Sequence, residues 1–388
     1  MIPFDALPPL GERVRTIVIV PARDEADRIG AALRALAMQR TLSGEPLDAR
    51  SYETIVFANT CTDATARIVR DFANGVAATH PVHVVEADLE PGAHVGTARR
   101  ILMDAAAERF RRAGRASGWI ASTDADTVVA SDWIAAMRAE ALAGADAVMG
   151  FVDISRSDRS ALSLDAARLY DSDLAYRSAV ADVECALDPV AWDPAPRHAF
   201  QYAASLAVSV DAYVRAGGLP ALPRGEDSAL YSALLRVDAR VRHSLRMRVD
   251  TSPRATGRVE GGFANFIRLL HDAVGPEQWL VEHPEETLQR IRARAALRRY
   301  HTVDADRASA YRSALDAFEL DFASFALLYD ASATFGVNFD RFEADALARG
   351  VYATYGRVPV ARATALLRSA LAAPSRSAIR TSVASGAG

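Results

Sequence analysis

Two aspartates one residue apart, Asp124 and Asp126, directly follow the apolar run Trp119-Ile120-Ala121. Two carboxylates at the end of a buried strand can hold a hard divalent cation, and that cation can hold a diphosphate. The same spacing recurs at residues 171–173 and 304–306, where it is typical of solvated acids on helices and turns. The spacing therefore gains meaning only from the elements that position these carboxylates.

A second acidic pair, Glu226 and Asp227, follows Gly225 and opens an amphipathic helical pattern. Negative charge in the first turn of a helix is favoured by the helix dipole, which is a sufficient structural explanation. The functional alternative is that one carboxylate, held at a helix start beside a cleft, acts as general base for an acceptor hydroxyl.

Short β-branched runs alternate with helical patterns from residue 15 to about residue 151. The runs predict strands over residues 16–20, 54–57, 82–85, 119–121 and 147–150. Strands that alternate with helices predict parallel pairing with right-handed crossovers. In such open sheets ligands bind at the carboxyl ends of the strands, so we predict an α/β fold with its site at that edge.

Polar clusters follow three of these predicted strands, at residues 21–25, 59–63 and 124–126. Each has a structural explanation, because Asp24 and Thr62 or Asp63 are good helix N-caps. Three clusters at one edge of one sheet are more simply explained by a ligand, so their convergence favours a binding site.

The later part of the chain has a different pattern. A helix is predicted over residues 160–183, prolines at 189, 194 and 196 mark a loop, and residues beyond about 262 are helical throughout, including 318–329 and 360–371. We predict an α/β domain over 1–262, with a regular part at about 14–150 and a less regular part at about 151–262. Residues 263–388 are predicted to form a helical C-terminal extension with a frayed tail.

Composition narrows the function classes. The formal net charge is −4 and the sequence contains no lysine, so its 45 basic residues are all arginine and show no overall basic bias. Nucleic acid is therefore not an expected partner. Cys61 and Cys185 stand alone and predict neither zinc nor a disulfide framework. No apolar run approaches the roughly 20 residues of a membrane helix, so we expect a cytoplasmic protein, with peripheral membrane contact left open.

Five segments, taken in order, resemble the family 2 glycosyltransferases of the GT-A fold: residues 21–25, 59–63, 96–100, 124–126 and 225–227. The resemblance covers about residues 14–262. It implies that 1–262 is a catalytic domain, with a nucleotide-sugar half at about 14–150 and an acceptor half at about 151–262. It implies a Rossmann-like, mostly parallel sheet flanked by helices. It also implies transfer of a sugar from a nucleoside-diphosphate sugar to an acceptor hydroxyl, with inversion at the anomeric carbon. The acceptor, whether small molecule, glycan or lipid-linked, is left open.

The resemblance assigns the donor's base and ribose to the ends of the first two strands. The residues concerned are Pro21, Ala22, Arg23, Glu25 and Asn59. Asn59 stands where relatives often have an aspartate that pairs with uracil. Because an asparagine side chain offers both a donor and an acceptor, the identity of the base stays open.

The diphosphate and its cation are assigned to later motifs. Asp124 and Asp126 resemble the family's metal motif, in which the final aspartate binds Mg²⁺ or Mn²⁺ and the first approaches the ribose or the metal. Arg99 lies in a helix start that can meet phosphates, or equally on an exposed helix face. Arg254 and Arg258 can clamp the leaving diphosphate, the alternative being a solvated basic loop.

Glu226 and Asp227 resemble the family's acidic pair, with Asp227 as the base. In-line attack by the deprotonated acceptor inverts the anomeric centre without a covalent intermediate. Many GT-A enzymes place a metal-binding histidine later in the chain, but no histidine lies between residues 244 and 270. His243 and His271 are therefore left outside the predicted metal set.

Two other classes of nucleotide-binding enzyme lack their characteristic residues in this sequence. A dinucleotide-dependent oxidoreductase needs a glycine-rich turn after the first strand, and no glycine follows that strand before Gly30. Sugar-1-phosphate nucleotidyltransferases resemble one another in a glycine-rich loop and a catalytic lysine, and both are lacking here. Two alternatives stay open: a retaining enzyme similar to glucosyl-3-phosphoglycerate synthases, and a non-catalytic module that binds nucleotide sugars.

Overall fold

The computed structural model describes residues 4–76, 80–90, 92–115, 117–252, 263–272, 276–303 and 306–372. The chain forms two compact units. The first contains Met1–Ser163, Phe200–Asp272 and Ala331–Asp340, and the second contains Leu164–Ala199, Ala273–Asp330 and Arg341–Gly388. This division differs from the predicted boundary at residue 262, since each unit is assembled from separate stretches of chain.

The first unit is built on an eight-stranded sheet. Its strands are β1 (Thr16–Ala22), β2 (Tyr52–Asn59), β3 (Val82–Ala87), β4 (Trp119–Ser122), β5 (Thr127–Val129), β6 (Ala147–Ile154), β7 (Leu206–Ser209) and β8 (Val241–Thr251). The strand order is β3-β2-β1-β4-β7-β6-β8-β5. All five predicted strands are present, each longer than predicted.

Strand direction decides which ends of the strands meet. β3, β2, β1 and β4 are mutually parallel, and β6 is parallel to β8. β7 runs antiparallel to both β4 and β6, and β5 runs antiparallel to β8. Six strands therefore end at one edge, where β5 and β7 begin. The sheet is mostly parallel, as predicted, although the sequence predicted neither reversed strand.

Helices cover both faces of this sheet. In the first unit they are α1 (Ile29–Ala37), α2 (Thr65–Val76), α3 (Val95–Arg112), α4 (Trp133–Leu142), α5 (Arg156–Ala161), α7 (Val210–Arg215), α8 (Glu226–Arg236) and α9 (Phe263–Asp272). Alternate residues of the fully buried β1 face opposite sides. Ile17 and Ile19 belong to the core with α3, whereas Val18 and Val20 belong to the core with α1 and α4. Such a strand reads as a continuous apolar run because both faces are covered.

The second unit is helical. It contains α6 (Leu164–Leu187), α10 (Pro284–Thr302), α11 (Arg307–Phe318), α12 (Phe322–Leu328), most of α13 (Phe335–Arg349) and α14 (Val360–Ala372), with a short ladder of β9 (Leu280–Val281) and β10 (Val358–Pro359). Apolar residues of α6, α10 and α14 share one core, which includes Val183, Leu288 and Leu367. This packing explains why α6 belongs with the C-terminal helices.

Two predicted helix limits in this unit were wrong. The helix predicted from residue 160 begins at Leu164, because the separate helix α5 ends at Ala161. The helix predicted over 318–329 is interrupted after Phe318. Glu319 has a left-handed backbone with φ 47°, and Asp321 then caps α12 by accepting from the amide of Ser324. No helix among the described residues is long and apolar enough to span a membrane.

Candidate active site

The carboxyl edge of the sheet encloses a cavity of about 700 Å³ within the first unit. Strand ends, the loops that follow them and the starts of α3 and α8 form its wall. Every predicted site residue that lies among the described residues lines this cavity: Pro21, Ala22, Arg23, Glu25, Asn59, Arg99, Asp124, Asp126, Glu226 and Asp227. Arg254 and Arg258 fall in 253–262, outside the described residues.

Asp124 and Asp126 lie in the tight turn between β4 and β5. The amide of Thr127 donates to the carbonyl oxygen of Asp124 over 3.2 Å, which closes the turn. Ala125, between the two acids, is only 3 % exposed, whereas both aspartates are half-buried in the cavity wall. The turn thus holds the two carboxylates at the edge of the sheet, in contrast to a solvated pair on a helix.

Arg99, in the second turn of α3, is the buried cation of the site. Its Nη2 donates to Oδ1 of Asp124 over 2.8 Å, and its Nη1 donates to Oγ of Ser122 over 2.6 Å. Its Nε lies 3.5 Å from Oε1 of Glu226. Burial acts to lower the pKa of the guanidinium, but Asp124 and Glu226 outweigh it and hold the pKa above its usual value. Arg99 therefore stays charged beneath the two acidic motifs.

The environment of Arg99 excludes one of its two sequence-based expectations. Its side chain is 4 % exposed, so the exposed-helix alternative is wrong for this residue and holds instead for Arg100, which is 45 % exposed. The described polar contacts of Arg99 are with Asp124, Glu226, Ser122 and a backbone carbonyl. Its position therefore indicates that it orients carboxylates.

Glu226 and Asp227 form the first turn of α8, which follows Gly225 in the left-handed conformation with φ 70°. Glu226 is 7 % exposed, and burial raises the pKa of its carboxyl group while Arg99 opposes that rise. Asp227 is half-buried and faces the cavity. Its Oδ2 accepts from the amide of Ala203 over 3.2 Å, and its Oδ1 accepts from the amide of Ser228 over 2.8 Å. Asp227 is therefore the accessible, oriented member of the pair.

Gly96 brings the start of α3 against the loop before α8. A Cβ at this position would lie 2.2 Å from the carbonyl oxygen of Leu222 and 3.3 Å from Cβ of Glu226. The first distance is too short for any side chain, so only glycine permits this approach. The approach places Arg99 within reach of Glu226.

Asn59 ends β2 and faces the cavity with one side of its amide. Its Oδ1 accepts from the amide of Leu89 over 3.3 Å and from Oγ1 of Thr60 over 2.9 Å. Because a backbone N–H can only donate, the side-chain oxygen points toward Leu89. The NH₂ group is then the part of Asn59 available to a ligand.

A separate cluster, Asp24, Cys61 and Asp63, is the one group of three or more metal-capable side chains among the described residues. Its carboxylates accept from backbone amides: Asp24 from Thr62 over 2.6 Å, and Asp63 from Ala26 over 3.0 Å. These bonds fix the loop after β1 to the loop after β2. The cluster therefore shapes the wall that carries Arg23 and Glu25, and within it Asp24 has a positive φ of 47°.

Several polar or aromatic groups in the cavity wall were not predicted from the sequence. Among them are the amide of Ala203, the ring of Tyr202, Thr251 at the end of β8 and Ser252 directly after it. The strand-like run before residue 250 could have indicated the last two, because a strand end on this edge faces the ligand. The amide of Ala203 could not be predicted, because almost every residue type has a backbone N–H group.

Comparison with known proteins agrees with this geometry. Residues 17–177 match the family model described as glycosyl transferase family 2. Residues 17–177 are therefore similar to a family 2 glycosyltransferase domain, a match that covers 161 of the 388 residues. No curated protein matches the sequence.

Several solved structures are similar to the chain at low identity. Staphylococcus aureus TarS residues 1–349 in complex with UDP-GlcNAc is 15 % identical, with 82 % of this chain and 76 % of that chain covered and a TM-score of 0.40. The mannosyltransferase PcManGT from Pyrobaculum calidifontis, in complex with GDP-Man and Mn²⁺, is 17 % identical, with 95 % and 82 % covered and a TM-score of 0.43.

A third similar structure is the glucosyl-3-phosphoglycerate synthase from Mycobacterium tuberculosis with Mn²⁺, UDP-glucose and phosphoglyceric acid. It is 15 % identical, with 67 % of this chain and 80 % of that chain covered and a TM-score of 0.35. At such low identities and TM-scores, none of these similarities assigns a ligand to the chain.

Proposed function

We propose that the protein transfers a sugar from a nucleoside-diphosphate sugar to an acceptor hydroxyl with inversion, with Asp227 as general base and a divalent cation at Asp126 and Asp124. One observation carries the proposal. The Asp-x-Asp turn and the Glu226-Asp227 pair line one cavity, and a single buried cation, Arg99, contacts a carboxylate of each. A donor site and a base site are thereby held next to each other.

Asp227 is better placed than Glu226 to take the acceptor's proton. A general base must come within hydrogen-bond distance of the proton it removes, and Asp227 is the half-exposed carboxylate in the cavity. Glu226 is buried against Arg99 and acts as a positioning residue. In the transfer step the acceptor oxygen bonds to the anomeric carbon and its proton passes to Asp227. The bond to the diphosphate oxygen breaks, and its electron pair leaves with the nucleoside diphosphate.

The residues present suit a hard divalent cation. Asp124 and Asp126 supply carboxylate oxygens, which are the ligands that Mg²⁺ and Mn²⁺ prefer. Oδ1 of Asp124 accepts a hydrogen bond from Arg99. The other oxygen of Asp124 and the carboxylate of Asp126 are therefore the groups that would hold the ion. A cation there would neutralise charge on the departing diphosphate.

Other residues of the cavity wall are proposed to contact the rest of the donor. Pro21, Ala22, Arg23, Glu25 and Asn59 would hold the base and ribose, and Arg254 and Arg258 stay proposed clamps for the diphosphate. The available NH₂ group of Asn59 favours a base that presents a carbonyl oxygen, as uracil and guanine do.

Two measurements test the proposal. A thermal-shift screen of UDP-, GDP- and dTDP-sugars with and without Mn²⁺ should show one base family that stabilises the protein, and the stabilisation should depend on Mn²⁺. The anomeric configuration of the product, determined by NMR with the donor so found, should be opposite to that of the donor. Retention of configuration would support a mechanism similar to that of the glucosyl-3-phosphoglycerate synthases and would refute the role of Asp227 as base for direct displacement.

A further inference from the structure

The hydroxyl of Ser252 is buried in the cavity wall without a partner. Ser252 is 5 % exposed and lines the cavity, and its Oγ has no hydrogen bond among the described residues. A buried hydroxyl that gives up water without a new partner costs about 1–3 kcal/mol. Such a group is expected where a ligand supplies the missing contact.

The strand register, extended by one residue, points to Asp126 as the neighbour of this hydroxyl. In the antiparallel pair of β5 and β8, Thr127 lies opposite Thr251, and their hydroxyls are 2.9 Å apart. Continuing that register by one residue brings Ser252 opposite Asp126. Residues directly opposite in an antiparallel pair have Cβ atoms about 5 Å apart and point to the same face. Asp126 and Ser252 both line the cavity, as this placement requires.

We infer that Ser252 is a further ligand of the divalent cation, contributing its Oγ beside the carboxylate of Asp126. The inference rests on the proposed cation site and extends it to the end of β8. A neutral oxygen suits Mg²⁺ or Mn²⁺, which take carboxylate, hydroxyl and water oxygens together. It also accounts for the orphaned hydroxyl, since a bound cation satisfies an oxygen that no described protein group contacts.

The first test is Mn²⁺ binding to the full-length protein without nucleotide, measured by the relaxation rate of water protons. Ser252→Ala should weaken Mn²⁺ binding by about tenfold, the value of one good ligand contact of about 1.4 kcal/mol. The melting temperature of the metal-free protein should stay the same or rise, because an unsatisfied hydroxyl is removed. Unchanged Mn²⁺ affinity would overturn the inference.

A matched control is Thr16→Val. The hydroxyl of Thr16 is also buried and without a partner, but it lies at the start of β1, at the opposite edge of the sheet. This variant should leave Mn²⁺ affinity at the wild-type value. A loss equal to that of Ser252→Ala would show that removal of any buried hydroxyl weakens the site, and would overturn the role of Ser252 as ligand.

A sulfur substitution tests ligation directly. Ser252→Cys should bind Cd²⁺ more tightly than the wild type does and should lose affinity for Mn²⁺, because thiolate ligands prefer softer cations. A hydroxyl that only donates a hydrogen bond to the donor's diphosphate would not produce this change of metal preference. In that case Ser252→Ala would weaken UDP or GDP binding and leave binding of Mn²⁺ alone intact, which also refutes the inference.

Asp126→Ala separates this inference from the proposed function. If Asp126→Ala abolishes Mn²⁺ binding and Ser252→Ala does not weaken it, the inference fails and the proposed cation site stands. If Asp126→Ala leaves Mn²⁺ binding intact, the cation site itself is wrong, and the inference about Ser252 fails with it.

Discussion

Arg99 donates from Nη2 to Oδ1 of Asp124 over 2.8 Å at a position where the arginine side chain is 4 % exposed. The same guanidinium lies 3.5 Å from Glu226, so two acidic motifs that are distant in sequence share one cation. The desolvation of a buried guanidinium is compensated only while its carboxylates are present, and the reverse also holds. The electrostatics of the donor side and the base side are therefore linked.

Removing this cation should be costly. Arg99→Met leaves two carboxylates without their shared partner, and loss of one member of a buried ion pair destabilises a protein by about 3–5 kcal/mol. Urea unfolding of the purified variant measures the loss. The control is Arg100→Met, since Arg100 is 45 % exposed and pairs with Asp104 at 3.5 Å on the helix surface. Its contribution should be below about 1 kcal/mol.

Equal losses in the two arginine variants would contradict the buried-cation role. A second comparison makes the test specific to the carboxylates. Glu226→Gln introduced into the Arg99→Met background should recover part of the lost stability, because it removes one unpaired buried charge. In the wild-type background the same substitution should be destabilising.

The acidic pair should separate binding from chemistry. Asp227→Asn keeps the size of the side chain and an oxygen that can accept from the Ala203 amide, but it loses the acceptor that faces the Ser228 amide and it cannot take a proton. We expect kcat to fall by at least about 10²-fold, with the donor Kd within about threefold of wild type, because general base catalysis contributes about 10²–10⁴-fold. A turnover assay at saturating donor gives kcat, and isothermal titration calorimetry with the donor gives Kd.

Glu226→Gln is the matched comparison, since the neighbouring carboxylate is buried against Arg99. It should lower stability as well as kcat, because it weakens a positioning contact. A kcat near wild type in Asp227→Asn, together with a large loss in Glu226→Gln, would assign the base to Glu226 instead.

The sequence identified this edge of the sheet because the evidence was local. Each polar cluster closely follows a β-branched run, and β1, β2 and β4 end within two residues of the ends of those runs. The reversed strands were missed because β5 and β7 have only three and four residues, which is too short for a period of two to stand out. The Ala203 amide that orients Asp227 lies shortly before β7, in a segment whose path the sequence did not predict.

The burial of Arg99 shows a second limit. Arg99 and Arg100 are adjacent and identical in type, and helix geometry alone turns one inward and leaves the other half-exposed. Which of the two faces the acids depends on the approach of α3 to the loop before α8, a contact between segments more than a hundred residues apart. The choice between the two arginines is therefore set by tertiary packing, and the sequence around residues 95–100 does not reveal it.

That approach can be tested at Gly96. A methyl group there would meet the carbonyl oxygen of Leu222 at 2.2 Å, so the backbone must move. We expect Gly96→Ala to destabilise the protein by at least about 1 kcal/mol and to lower kcat, despite the better helix propensity of alanine. Urea unfolding and a turnover assay measure the two effects.

Gly30→Ala is its control, because Gly30 is also the second residue of a helix. The nearest atom to a Cβ at Gly30 is the end of the flexible Arg34 side chain, at 3.4 Å. At this position the higher helix propensity of alanine meets no steric cost from the backbone. The free energy of unfolding should therefore be unchanged or raised by up to about 1 kcal/mol. Opposite signs in the two variants are expected, and a neutral Gly96→Ala would show that the contact is not required.

Stability should also fall in mild acid because of His80. This residue is 1 % exposed, its ring packs on Tyr52 at 4.5 Å, and burial lowers the pKa of the imidazole to about 4. Between pH 6.5 and 4 the unfolded chain binds the proton while folded His80 stays neutral, so stability decreases as pH falls. From pH 7 to 5 the loss should be about 2 kcal/mol, at about 1.4 kcal/mol per pKa unit.

His80→Gln removes this titration and keeps a polar group near Oγ1 of Thr54, which lies 3.1 Å from Nε2 of the imidazole. The substitution also changes the free energy of unfolding at every pH. This change cancels when the loss from pH 7 to pH 5 in the variant is compared with the same loss in the wild type. Buried carboxylates with lowered pKa values, such as Glu53 and Asp188, lose their stabilising contribution only at lower pH, so they do not mask the effect. Equal losses for wild type and variant over this range would mean that His80 takes up its proton in the folded state, and that burial does not hold it neutral.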